Sequence, residues 1–156
     1  MDISKSYSEG IYFGLTEGTV TTTGIIIGMY ASVKYKLAIV GAVLTAAFCD
    51  SFGDSIGIYY SELDKNPDVI KKIIGMCLSK ILISILYVLP IIFLKKINNG
   101  LIISLILAFI IILYLLKYLA KLNKREYKKF IVKNLTLIIF VIIISYCIGL
   151  FLKKLF

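Results

Sequence analysis

Three acidic side chains lie in two segments that are otherwise apolar enough to cross a lipid bilayer. Asp50 and Asp54 stand one helical turn apart within residues 44–62, and Glu17 stands within residues 11–33. A carboxylate near the bilayer centre costs about 2.5–3.5 kcal/mol on insertion scales, so such acids usually face a bundle interior, a partner or a wet cavity. The pattern therefore indicates a cation site inside the membrane.

Both segments place their acids on faces made of small residues. Glycines four residues apart let membrane helices approach each other closely, and on helical wheels such glycines share the faces of the acids. We therefore expect helix packing at Gly10, Gly14, Gly24, Gly28, Gly53 and Gly57. A second helix is expected directly beside Asp50 and Asp54, and the same glycine faces could join two copies of the chain as a homodimer.

The depths of the acids agree between the two segments. Glu17 follows the start of its segment by six residues and Asp54 precedes the end of the next by six, which is about 9 Å in each case. Because the segments must run antiparallel, these two carboxylates lie at one level, with Asp50 one turn deeper and level with Thr21. These side chains would line a path inward from one surface. Further oxygens along it are expected from Ser51, Ser55 and, at its entrance, Glu62.

The composition indicates an integral membrane protein with a single transmembrane domain. The 156 residues are 60% hydrophobic with a mean hydropathy of +0.95, which is more apolar than a soluble domain. Segments of about twenty apolar residues predict transmembrane helices. The sequence predicts an all-α bundle of five such helices, at residues 11–33, 37–60, 73–94, 101–122 and 130–152.

The basic residues predict an orientation. The formal charge is +9, and the bases cluster between apolar runs, which favours anionic lipid headgroups over nucleic acid as their partner. The N-terminus and the second and fourth connections hold 11 Lys and Arg residues, against six on the other side. An excess of basic residues marks the cytoplasmic side. We therefore expect a multi-pass protein of the cell membrane with a cytoplasmic N-terminus, whose acids open toward the cytoplasm as suits export of a cation.

The remaining residue types restrict the chemistry to oxygen ligands. The chain has no histidine and three cysteines, and Cys49, Cys77 and Cys147 lack the paired spacing of a disulfide framework or a thiolate zinc site. We expect no permanently bound cofactor and no enzymatic activity. A transported divalent ion, Fe²⁺ or Mn²⁺, is the predicted ligand.

Lys80 in the third span has two interpretations. Its long stem could carry the ammonium to the membrane surface, or the ammonium could pair with one of the buried acids. A pair would hold helices together and transport nothing. Three acids against one lysine nevertheless leave an excess of negative charge.

The segments Gly14-Leu15-Thr16-Glu17-Gly18, Asp50-Ser51-Phe52-Gly53-Asp54 and Tyr60-Ser61-Glu62 resemble the first two helices of the vacuolar iron transporter family. The resemblance implies five spans, a two-fold dimer, and a metal and proton pathway lined by Glu17, with Asp50 and Asp54 on its other wall. Two features differ from the family. The short loop 61–68 replaces its cytoplasmic metal-binding helical domain, and Ser51 stands where its members carry a methionine, which leaves oxygen ligands that also suit manganese.

Three functions are consistent with these residues. The first is a homodimeric divalent-cation transporter, in which crowded carboxylates hold protons as well as metal and so could couple export to proton entry. The second is a structural or regulatory membrane subunit whose acids pair with Lys80 or with a partner. The third is an intramembrane aspartyl protease, which the geometry disfavours because Asp50 and Asp54 project in parallel from one helix and Glu17 would have to complete the pair.

Overall fold

Regular structure in the described part of the chain is entirely helical. The computed structural model describes residues 3–65, 67–122 and 127–156. Within them lie five helices: α1 (Ile3–Ser32), α2 (Lys36–Glu62), α3 (Val69–Phe93), α4 (Ile97–Leu122) and α5 (Tyr127–Leu155). The prediction of an all-α chain with five long helices is confirmed. Asn66 of the predicted loop 61–68 and residues 123–126 of the predicted fourth connection lie outside the described residues.

Four of the helices are long and apolar enough to cross a membrane. They are α2, α3, residues 97–121 of α4 and residues 134–155 of α5, where the sequence predicted five spans. The helix α1 is longer than any of these, at 30 residues. It is not apolar enough, however, for the same length and hydropathy criteria to identify it as a span. At about 1.5 Å per residue its length is nevertheless sufficient to cross the bilayer core.

The central position of α1 in the bundle explains how this helix can carry many polar side chains. It packs against all four other helices, most extensively against α3 and α5. Several of its hydroxyl side chains are therefore buried against other helices, among them Thr19, Thr22 and Thr23. In a membrane, polar side chains are retained where neighbouring helices satisfy them.

Glycines let the neighbouring helices approach α1 closely. A Cβ atom built on Gly10 or Gly14 would overlap backbone atoms of α3. Farther along α1, a Cβ on Gly24 would lie 3.1 Å from Ser145 Oγ of α5, and one on Gly28 would lie 3.2 Å from the Ser145 carbonyl oxygen. The first half of α1 is thus fitted to α3 and the second half to α5.

Paired hydroxyl groups hold α1 against α3 in the bundle interior. The Thr22 and Ser84 hydroxyls lie 2.8 Å apart, and those of Thr19 and Tyr87 lie 3.0 Å apart. Ser104 of α4 donates to the Tyr87 carbonyl oxygen at 2.6 Å. These contacts fix the rotation of α3 about its own axis, and that rotation decides where Lys80 points.

The glycines of α2 do not pack as the sequence predicted. A Cβ atom on Gly53 or Gly57 would meet no atom of the described residues within 4 Å, so the expectation of helix packing at these two glycines is wrong within this chain. The helix α2 carries small residues on more than one face. Its buried face contains Ala47 and Ser51, and the Cys77 thiol of α3 lies 3.5 Å from the Ser51 carbonyl oxygen.

Candidate cation site

Three helices bring four charged side chains together in the bundle. Lys80 of α3 directs its Nζ atom at Glu17 Oε2 of α1 in direct contact. The same Nζ lies 2.7 Å from Asp54 Oδ2 and 3.8 Å from Asp50 Oδ2, both on α2. The three acids singled out in the sequence therefore converge on one ammonium. We call these four residues the acid–lysine cluster.

Lys80 occupies the centre of the cluster and does not reach the surface. Its side chain is 1% exposed, so the interpretation in which the stem carries the ammonium to the membrane surface is wrong. The other interpretation foresaw a pair with one acid, whereas Lys80 contacts three. The Lys80 face of α3 also carries the buried residues Met76, Ile83 and Ser84, and the contacts of that face with α1 turn the ammonium inward.

Gly18 makes room for the lysine and was not recognised as a site residue in the sequence. A Cβ atom there would lie 3.2 Å from Lys80 Cγ and 2.8 Å from Ile83 Cγ2. Gly18 directly follows Glu17. The sequence does contain a signal for it, because a glycine next to an acid lets a further helix approach that acid closely. Such an approach is needed for a side chain of that helix to supply the counter-charge.

The cluster carries more negative than positive charge. With all four groups ionised, three carboxylates and one ammonium leave a net charge of −2. The carboxylates are also less enclosed than the lysine: the exposed fractions of their side chains are 28% for Glu17, 34% for Asp54 and 42% for Asp50. The excess charge is therefore accessible from outside the protein interior, and Asp50 is its most accessible part.

The acids are arranged around the ammonium and do not form a ready metal site. Across residues 3–65, 67–122 and 127–156, no group of three or more His, Cys, Asp or Glu side chains is placed to hold a metal ion. A cation other than the ammonium would enter the cluster only if Lys80 moved aside or the carboxylates turned toward a new centre. The geometry thus describes a site closed by an internal cation.

The other oxygens predicted to line a path lie in different places. The Thr21 hydroxyl donates to the Glu17 carbonyl oxygen at 3.0 Å, and Thr21 lines a cavity with Asp50. Ser51 donates to the Ala47 carbonyl oxygen at 2.6 Å, and Ser55 Oγ lies 3.0 Å from Cys77 Sγ. Ser51 and Ser55 therefore serve the contact between α2 and α3 and do not join the acids.

Glu62, predicted at the entrance of the path, is engaged by a base. Its Oε1 atom lies 2.5 Å from Lys72 Nζ, so the end of α2 is tied to the first turns of α3. Nearby, Asp68 pairs with Lys71 at 2.9 Å. Both contacts lie at the connection between the two helices.

Comparisons with known proteins do not assign a family. No family model, curated protein or solved structure matches the chain. The resemblance of the first two helices to the vacuolar iron transporter family therefore stays a prediction.

Proposed function

We propose that the chain is a membrane carrier for divalent cations in which Glu17, Asp50 and Asp54 bind the cargo and Lys80 closes the empty site. The observation that carries this proposal is the excess charge of −2 at a cluster contacted by three helices. A divalent cation would cancel that charge. In a low-dielectric setting an uncompensated charge is costly, so cargo of this valence would stabilise the cluster.

The ligand class follows from the atoms that the cluster offers. Carboxylate oxygens suit Mn²⁺, Mg²⁺ and Ca²⁺, and borderline ions such as Fe²⁺ are also bound by oxygen. We propose Mn²⁺ or Fe²⁺ as cargo. Two protons would cancel the same charge, so exchange of one divalent ion for two protons would leave the cluster balanced in both states.

The proposal also includes a location, an orientation and an oligomeric state in the membrane. The chain would work in the cell membrane as a homodimer with a cytoplasmic N-terminus and would export its cargo. The uncovered glycines Gly53 and Gly57 supply a surface of α2 on which a second copy could pack, and Asp50 is on the same helix, so the partner would approach the cluster.

Transport into proteoliposomes tests the proposal directly. Mn²⁺ influx is followed by the quenching of a metal-sensitive dye enclosed in the vesicles. The unchanged chain is compared with the variants Glu17→Gln and Asp54→Asn. Each substitution removes one carboxylate from the cluster while keeping the shape of the side chain, and we expect at least about a tenfold loss of rate, since one missing charge contact of 1.4 kcal/mol is a factor of ten.

Asp64→Asn is the matched control, because Asp64 is exposed in the connection after α2 and outside the cluster. It should transport as the unchanged chain does. Wild-type flux no greater than that of empty vesicles, or flux equal in all four proteins with their helices intact, would refute the carrier.

A structural or regulatory membrane subunit is the second candidate function. It is favoured by the burial of Lys80 and by its contacts with α1 and α2, since these tie three helices together. This candidate predicts no flux, and it predicts that Glu17→Gln and Asp54→Asn weaken the fold. The aspartyl protease has less support, because the Lys80 ammonium stands between Glu17 and Asp54 where a protease pair would share a proton.

A further inference from the structure

A groove between α1 and α5 begins beside the cluster and runs toward the first connection. Its volume is about 590 Å³, within the range of roughly 300–1,000 Å³ found for pockets that hold drug-sized ligands. Asp50 of α2 lies at one end and Ser32 at the other. We call this space the α1/α5 groove.

The walls of the groove are mainly apolar, and Asp50 is the one charged residue among the described residues that line it. Gly24 and Gly28 form part of its floor, while Ile25, Val141 and Ile148 supply hydrocarbon. The Thr21 hydroxyl is already donated to its own helix. A ligand would therefore meet hydrocarbon along its body and a carboxylate at one end.

The charge of Asp50 at that end is only partly balanced by Lys80. Asp50 is 42% exposed, and its Oδ2 atom is 3.8 Å from Lys80 Nζ, farther than the Asp54 oxygen at 2.7 Å. With all four groups ionised, the cluster, Asp50 included, has a net charge of −2. A positive group in the groove would gain from this field, and a negative group would be repelled, because charges interact strongly where water is scarce.

We propose that the α1/α5 groove binds a lipophilic organic cation, with its apolar body between α1 and α5 and its cationic centre beside Asp50. The ligand class is an ammonium or phosphonium ion carried on hydrocarbon. A hydrated metal ion would find few oxygens along these walls, and a neutral lipid would leave the Asp50 carboxylate without a counter-charge. This inference goes beyond the divalent-cation carrier and does not depend on it.

Equilibrium binding of radiolabelled tetraphenylphosphonium to the full chain in lipid nanodiscs tests the proposal. Nanodiscs without protein measure partition into lipid, which is subtracted. We expect saturable binding of one cation per chain. Tetraphenylborate has the same shape and the opposite charge, and it should show no saturable binding, because the groove then offers repulsion in place of attraction.

Two substitutions locate the ligand. Asp50→Asn should weaken binding at least about tenfold, the equivalent of 1.4 kcal/mol. Ile148→Trp should weaken it by filling the groove, and since Ile148 is 53% exposed the larger side chain should not disturb the packed core. The control Asp64→Asn should bind as the unchanged chain does, and Asp50→Glu should bind more tightly than Asp50→Asn.

Three results would overturn the proposal. They are binding that does not saturate, equal binding of the phosphonium and the borate, and binding unchanged by both Asp50→Asn and Ile148→Trp. A groove closed by a second copy of the chain would also give no saturable binding. Because Mn²⁺ flux is measured in a separate assay, phosphonium binding without flux would refute the carrier alone, and flux without phosphonium binding would refute the groove alone.

Discussion

Replacing Lys80 by methionine tests the acid–lysine cluster as a source of stability. Methionine keeps an unbranched apolar stem of similar length and removes the ammonium. Three carboxylates would then face one another without a counter-charge, so the net charge of the cluster would change from −2 to −3. We expect Lys80→Met to lower the free energy of unfolding substantially.

The size of the loss follows from burial. Removing one partner of a buried ion pair costs roughly 3–5 kcal/mol, because the other charge is left uncompensated. Lys80 is 1% exposed, but its three carboxylate partners are 28–42% exposed, so the protein encloses them only in part. The loss should therefore lie near the lower bound, at about 3 kcal/mol.

Lys71→Met supplies the matched control. Lys71 also pairs with an aspartate, Asp68, at 2.9 Å, but its side chain is 43% exposed. Exposed ion pairs contribute about 0–1 kcal/mol, so this substitution should cost no more than that. Both variants would be unfolded by a denaturing detergent in mixed micelles, with loss of helix followed by circular dichroism.

A double variant shows whether the cost arises from charge. In Lys80→Met combined with Asp54→Asn, the cluster again has a net charge of −2, so the double variant should be more stable than Lys80→Met alone. Neighbouring residues in one network show interaction energies of about 0.5–3 kcal/mol. A Lys80→Met variant as stable as Lys71→Met, or a double variant less stable than Lys80→Met, would refute the electrostatic reasoning.

Further predictions concern the packing around the cluster. Gly14→Ala should cost about 1–3 kcal/mol in the same unfolding assay, because the added methyl group overlaps α3 and overpacking carries that cost. Gly53→Ala should leave the fold of the single chain unchanged, because no atom of the described residues lies within 4 Å of its added methyl group. Equal effects of the two would contradict the packing of α1 on α3. Thr22→Val and Ser84→Ala should show a coupling of about 0.6 kcal/mol in a double-mutant cycle, the average for hydrogen bonds between membrane helices, and additive effects would contradict the 2.8 Å contact. Gly18→Leu should abolish Mn²⁺ flux and destabilise the fold, since a Cβ atom alone would lie 2.8 Å from Ile83; unchanged flux and stability would show that Lys80 does not need this space.

The convergence of Glu17, Asp50 and Asp54 could be predicted because it depends on local rules. Spacing by one helical turn places Asp50 and Asp54 on one side of α2, and a short connection makes α1 and α2 antiparallel. Counting residues from the membrane surface then gives their relative depth. Each step uses helix geometry alone, and the three side chains do meet at one ammonium.

The position of Lys80 could not be predicted in the same way. Apolar residues occur on nearly every side of α3, so its sequence gives little information on which side faces the bundle. That choice is made by contacts with α1, including the Thr22–Ser84 pair and the room provided by Gly18. The outward direction of Gly53 and Gly57 has the same origin, because small residues on several faces of α2 left its rotation undetermined.

The number of acids gives the structural subunit and the carrier different predictions. A lysine that holds α1, α2 and α3 together needs one carboxylate from α1 and one from α2, and its contacts with Glu17 and Asp54 supply them. Each further acid at this depth lowers the stability of the fold. The contact between Asp50 Oδ2 and Lys80 Nζ is long, at 3.8 Å, so it offsets little of that loss. Asp50 is thus one acid more than a structural lysine needs, and under the functions proposed above protons, a divalent ion or an organic cation would balance its charge. A purely structural subunit would therefore gain stability in Asp50→Asn, whereas a carrier would lose its flux.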